Sequence, residues 1–386
     1  MKDGDIVKKI KIVSLLIACL CLCSSLTGCG DRNGGIDGLV KLMNVEAKEL
    51  QSPVYGEKDL ASMAVANGTN DFAFRLSAAL SKNINDESFV CSPYSVWLSL
   101  AALVNATDSQ NRDALLAALG ASGISAEDVN KAASRMLFEL TKERDKAFAQ
   151  EYDEQYHNPL KIANAIFVGK DVKLRKEFAQ TFMDYYRGVA MNVDFGSRDA
   201  VDAVNKWASE NTDGLITDLI QEFDPSTIAA IANAIYFSDR WQWEFNPDNT
   251  TEGVFHSPKG ETSAFFMLRE GDSQTYYEDE TVQAMPLYFK TGGGMYIILP
   301  KSGDAVGLLG DMTSEYFDEI QTDSISATGK LLLPRFSINN DVAGLKETLA
   351  ALGVPLFDEA SAPLTGGLIE EDMPIWLSGA IQKAII

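Results

Sequence analysis

The chain has 386 residues, with 55 acidic against 33 basic side chains and a formal net charge of −22. Hydrophobic content of 46% with 23% charged residues is that of a folded chain with a large core, which excludes a disordered polypeptide. An acidic surface repels phosphate backbones, so no nucleic-acid partner is expected.

The N-terminus reads as a processing signal. Lys8, Lys9 and Lys11 precede an apolar run from Ile12 to about Leu22, too short to span a bilayer. Leu26-Thr27-Gly28-Cys29 then resembles the bacterial lipobox, which implies cleavage before Cys29 and a diacylglycerol anchor on its sulfur. The expected organisation is a signal peptide over 1–28, a tether over 29–66 and one folded domain over 67–386. Glycines at 30, 34, 35, 38 and 56 suit a tether, with a short helix near Leu39 to Leu50. An exported protein whose folded body has a single cysteine, Cys91, has no internal disulfide. Cys91 sits in an apolar run, as a small buried hydrophobe does.

From Asn70 the pattern is helical, with Phe72, Leu76, Ala79 and Leu80 on one stripe. Ser92-Pro93 predicts a helix start, with Ser92 as capping oxygen and Pro93 in the first turn. Thr107 with Gln110 predicts a capping box, and Gly120 the end of that helix. Val129, Ala133, Met136, Leu137 and Leu140 mark another helix; Val201, Val204, Trp207 and Ala208 mark one ending near Gly214. Thr227 to Phe237 is almost wholly apolar, as in a strand covered on both faces. Met295 to Leu299 and Lys330 to Leu333 read as strands, and Pro334 stops the second. Helices first and strands later predict an α+β domain on large sheets.

Catalytic signatures are missing. There is no Gly-x-Ser-x-Gly, His-Glu-x-x-His or Walker loop, and the two histidines, His157 and His256, read as structural. Glu370-Glu371-Asp372 reads as a solvated loop, and Gly292-Gly293-Gly294 as a turn. No enzyme activity, metal or cofactor is expected.

A series of segments, in order, resembles the serpin family. Asn70 to Leu80 resembles its first helix, and Phe89 to Ser95 its Ser-Pro-x-Ser helix start. Ala163-Asn164-Ala165-Ile166-Phe167, and Asn205-Lys206-Trp207 with Thr212 to Ile216, continue the match. Asn233 to Phe237 followed by Trp241, Phe245, Thr250, Phe255 and Met267 keeps the family spacing. Leu333 to Phe336, Leu345-Lys346 with Leu352-Gly353, and Ser378 with Lys383-Ala384 complete it. The resemblance implies helices packed on a large central mixed sheet, with smaller sheets besides. It also implies inhibition of a serine protease, or a cysteine protease, by a monomer whose cleaved reactive loop inserts as an extra strand. Ser92, Ser95 and Asn233 would form the central "shutter" of that sheet, and Trp241 and Arg335 would lie at the "breach" where insertion begins.

Two departures stand out. Gln382 holds the shutter position usually given to His, and Gly379 replaces an acid. Gln382 still donates and accepts hydrogen bonds but does not titrate. The sequence also stops at Ile386, inside the strand expected to lead into the hinge and reactive loop, so the resemblance implies a chain cut before the bait. Two rival readings remain: a serpin-fold binding or vestigial module that never inhibits, and a solute-binding lipoprotein with two α/β lobes. A hinge of small residues would favour the inhibitor.

Overall fold

The structure is a computed structural model and describes residues 60–84, 87–143, 160–224, 226–257 and 259–386. The signal segment, Cys29, the Leu39–Leu50 helix and His157 lie outside the described residues.

The helical half forms as its stripes predict. Helix α1 (Leu60–Ser81) buries Phe72, Leu76 and Leu80, and it begins ahead of residue 67. Helix α2 (Pro93–Leu103) is apolar all round, because it is packed on every side. Next come α3 (Ser109–Ala118) and α4 (Ala126–Phe138), the latter running into a π-turn over Glu139–Glu143. The capping details differ from the sequence reading. Ser92 precedes Pro93, yet its hydroxyl makes no capping bond. At the start of α3 the cap is Asp108, which accepts from the N–H groups of Gln110 and Asn111, while the Thr107 hydroxyl donates back to Leu103 C=O. A carboxylate outcompetes a hydroxyl for exposed N–H groups, which leaves Thr107 to its own helix. Gly120, at φ 76°, does end this helix. Its backbone touches that of Gly68 so closely that a Cβ on Gly68 would lie 2.1 Å from Gly120 O.

Strand β1 (Leu160–Gly169) pairs in parallel with β2 (Gly188–Val193) and antiparallel with β3 (Ala229–Phe237). Helix α5 (Lys176–Tyr186) precedes β2, and α6 (Arg198–Asn211) follows it. The β1–β3 register sets Asn164 opposite Asn233, flanked by the pairs Ala163–Ala234 and Ala165–Ala232. Period-two alternation then gives two faces. The alanines lie under α6, where small side chains let the helix come close, and Ile162, Ile166, Ile231 and Ile235 face the core around α2.

A second sheet runs β4 (Thr251–Ser257), β5 (Gly260–Glu278), β6 (Val282–Tyr288), β7 (Gly294–Pro300), with β8 (Ile325–Pro334) also on β5. The Gly292–Gly293 turn sits between β6 and β7, both glycines at positive φ. Helices α7 (Ala305–Asp311) and α8 (Ser314–Thr322) lead into β8. After β9 (Asn339–Asp341) and α9 (Leu345–Ala351), the chain returns along 374–386, where β10 (Lys383–Ile385) pairs with β9. The class is α+β, as expected. The central sheet, however, is in two pieces: β2-β1-β3 and β10-β9. Strand β3 is packed on both faces as its sequence implies, yet much of it is only half-buried, because its free edge borders a gap.

Candidate functional site: a slot in the central sheet

The gap is a cavity of about 650 Å³. One wall is β3 with the preceding residues from 226; the other is the segment 374–385. Its floor is α2 and its entrance, through Cys91, Ser92, Ser95 and Ser99. Its roof is α6 and the chain after it, through Ala208, Ile216, Leu219 and Phe223. Among the described residues β3 has no strand partner on this side, and neither has β10. Two strand edges facing an apolar space with a row of hydroxyls can take up one thing well: another extended chain, bonded on both sides.

The four residues assigned by resemblance to the shutter, Ser92, Ser95, Asn233 and Gln382, all line this slot. They are bonded as two separate groups. On the 374–386 side, Gln382 Oε1 accepts from Ser92 N–H at 3.0 Å, and Gln382 Nε2 donates to Ser92 C=O at 2.8 Å. The hydroxyls of Ser92 and Ser95 lie 2.9 Å apart, which explains why Ser92 is not a cap. On the β3 side, Asn233 Nδ2 donates to Asn164 Oδ1 at 2.8 Å, and Asn164 Nδ2 donates to Tyr186 C=O at 2.7 Å. The Tyr186 hydroxyl continues inward to Asn130 Oδ1, and Asn130 exchanges bonds with Asn105. Asn233 Oδ1 is buried without a donor.

Trp241 and Arg335 do not line the slot. Trp241 stacks on Phe289 with centroids 4.9 Å apart and meets Phe245 edge-on. Arg335 is exposed beyond β8; its N–H donates to Phe265 C=O, and no ion pair reaches it among the described residues.

Burial governs the titratable groups in and beneath the slot floor. Burial pushes the Cys91 thiol up to about 11, partly offset by contact with the Ser77 hydroxyl. Such a thiol is protonated at neutral pH and inert, in keeping with the sequence reading. Burial likewise raises the Tyr94 and Tyr186 phenols. His256 sits in the β4–β5 hairpin with Nδ1 3.1 Å from Glu261 Oε1. Among the described residues no cluster of three or more His, Cys, Asp or Glu could hold a metal, and no helix is long and apolar enough to cross a membrane.

Sequence reasoning missed Asn164 as a site residue, although the signal was there. The tetrapeptide Ala-Asn-Ala-Ile occurs at 163–166 and again at 232–235, and an amide inside an otherwise apolar strand asks for a partner. Antiparallel pairing about that centre puts Asn against Asn.

The arrangement is a central sheet parted between two strands, with a hydrogen-bonded polar group on either side of the opening. A family profile described as "Serpin (serine protease inhibitor)" matches residues 67–386, and the chain belongs to the serpin family. It is similar to mouse (Mus musculus) alpha-1-antitrypsin 1-2, at 26% identity over 88% of this chain and 81% of that protein. To antichymotrypsin-2 of Bombyx mori it is 28% identical, over 84% of each. Among solved structures, the native state of the thermophilic serpin tengpin overlays with a TM-score of 0.73 at 23% identity, covering 90% of this chain and 83% of that one. Cleaved kallistatin complexed with heparin gives 0.70 at 22%, covering 80% and 89%. At such identities the structural likeness speaks to fold alone. The two α/β lobes that a solute-binding lipoprotein would need are not the observed arrangement.

Proposed function

We propose that this protein inhibits serine proteases by taking a cleaved bait segment into the slot between β3 and 374–386. The observation that carries the reading is the slot itself: two strand edges with no strand between them among the described residues, a floor that carries hydroxyl side chains, and an apolar roof. Membership of the serpin family and likeness to proteins named antitrypsin and antichymotrypsin support it.

In this mechanism the protease's catalytic serine oxygen attacks the carbonyl carbon of the bait bond. The C–N bond breaks, the amine leaves with a proton, and the new N-terminal fragment stays on the protease as an ester. The freed strand then runs into the slot. A nine-residue strand like β3, bonded on both edges, uses an N–H and a C=O at each residue, about eighteen hydrogen bonds at ~1 kcal/mol net each, a gain on the order of 10–20 kcal/mol. That is enough to drag the protease out of register before water attacks the ester. The inhibitor is consumed, so one molecule stops one protease.

Within the same proposal Ser92, Ser95, Asn233 and Gln382 are the latch, and Trp241 and Arg335 mark where insertion begins. Cys29 carries a lipid anchor that holds an exported, monomeric inhibitor at a membrane surface. Cysteine proteases, which also pass through an acyl-enzyme, are the second target class.

The test is to mix the protein isolated from its own cells with trypsin-, chymotrypsin- and elastase-type proteases and boil the products in detergent. A covalent band at the summed mass is expected. Cleavage of the protein with no such band for any protease overturns inhibition and leaves a binding or vestigial serpin.

A further inference from the structure

The slot is lined in two layers of different chemistry. Above β3 its walls belong to the cluster beneath α6, with Phe167, Val204 and Ile216. Below β3 they belong to the core around α2, and this lower chamber reaches Leu349 on α9, Phe357, Leu364 and Leu368. Charge is confined to the upper layer. Only Glu222, Asp224 and Lys383 carry it in the whole lining. The first two lie on the chain after α6, and the Lys383 ammonium is bonded to Asp218 of that same segment at 2.7 Å.

The floor of the lower chamber changes polarity along its length. Ser92, Ser95 and Ser99 face it at helical spacing, and the same stripe of α2 then turns to Leu103, with Val96 and Leu100 beside it. Leu368 sits at the apolar end. Its neighbour Gly367 packs against the backbone just past α2, so closely that a Cβ there would lie 2.0 Å from Ala106 O. From Ser92 to Leu103 the floor runs about 16 Å, at ~1.5 Å per residue. Asn233 lines the same chamber, on the face of β3 that carries Ile231 and Ile235, and its Oδ1 is buried without a donor.

We propose that the lower chamber binds a neutral amphipath, a small molecule with an alkyl or fused-ring body and one hydroxyl or amide N–H. Its donor goes to Asn233 Oδ1, and its body lies toward Leu103 and Leu368. An apolar cavity with a few placed polar groups is the usual make-up of a small-molecule site, and the donor it brings is the one the buried acceptor lacks. An ionised head is disfavoured. It would give up its hydration with no counter-charge to meet it, at a cost well beyond what one hydrogen bond returns. The site needs no bait strand, so it stands apart from the reading of inhibition.

The test is titration calorimetry of the whole protein with decan-1-ol, 1-methoxydecane and decanoate, each kept below its solubility or micelle limit. The alcohol should bind saturably, and the ether, which cannot donate, roughly five- to ten-fold more weakly. Decanoate should bind more weakly still. Asn233→Leu should bring the alcohol down to the level of the ether and leave the ether unmoved. Ser99→Trp, which fills the middle of the floor, should abolish binding of both, with circular dichroism used to check that it folds. No saturable heat, equal affinity of the parent for alcohol and ether, or undiminished binding by folded Ser99→Trp overturns the site. Should Ser99→Trp fail to fold, the alcohol-to-ether ratio in the parent and in Asn233→Leu decides alone.

Discussion

Gln382 grips the backbone of Ser92 with both ends of its amide, Oε1 taking the N–H at 3.0 Å and Nε2 giving to the C=O at 2.8 Å. The bond ties 374–386 to the entrance of α2, so one wall of the slot is fixed to its floor. Asn233 on the opposite wall is turned toward Asn164 instead. At this level the two polar groups are bonded apart, Gln382 to Ser92 and Asn233 to Asn164.

Removing that grip should be costly to stability. Gln382→Leu leaves the Ser92 amide without its acceptor and is expected to destabilise by roughly 1–3 kcal/mol, read as a lower urea midpoint with unchanged slope. Gln382→His should add pH dependence that the parent lacks. Only a neutral imidazole can accept from Ser92 N–H, so the folded state depresses the new histidine's pKa. The stability it contributes is present above ~6.5 and lost as pH falls below it.

At high pH the chain should weaken through Cys91. Its thiol rises from 9.0 to about 11 on folding, with burial as the main cause. A raised pKa means stability that is intact below the unfolded value and lost as pH climbs from 9 through about 11, on the order of 2–3 kcal/mol. Urea unfolding of the parent against Cys91→Ala across that window checks it, since the variant should lose that part of the slope. Iodoacetamide at pH 8 should leave Cys91 unlabelled in the native protein and label it after denaturation, as peptide masses would show.

The Gly68–Gly120 contact admits no side chain. Gly68→Ala places a Cβ 2.1 Å from a carbonyl oxygen, and backbone cannot swing aside. A loss of roughly 1–3 kcal/mol or more is expected. Gly310→Ala in α7, with nothing within 4 Å of the added carbon, should be neutral or mildly stabilising. Thermal unfolding of the two variants compares them directly.

Asn164 serves two partners at once. Asn164→Ala strands Asn233 Nδ2 and the Tyr186 carbonyl together, at a loss of roughly 2–4 kcal/mol for two orphaned groups. Adding Asn233→Ala should cost less than the sum of the single changes, because one of the orphans is then gone. Additivity in a double-mutant cycle would contradict the shared network.

Local pattern carried much of the architecture. The stripe of α1, Pro93 at the start of α2, Gly120 after α3 and the apolar run of β3 each express a rule that acts within a few residues. The slot's bonding did not follow from such rules. Ser92 and Gln382 lie 290 positions apart, and Lys383 and Asp218 lie 165 apart, so only the folded topology brings them together. Reading Ser92 as a cap failed for a local reason: its hydroxyl is bonded to that of Ser95, three residues on, and not to a backbone N–H. The parted central sheet was equally invisible to such rules, since an apolar strand looks alike whether its edge is paired or waiting.

The most direct measurement is hydrogen exchange at the slot's two walls, on the protein from its own cells before and after reaction with a serine protease. If a severed strand seats between them, the amides of 229–237 and 379–386 should slow together by orders of magnitude, while those of β6 and β7 stay as they were. Cleavage that leaves both walls exchanging at their original rates would contradict the slot as the seat of inhibition.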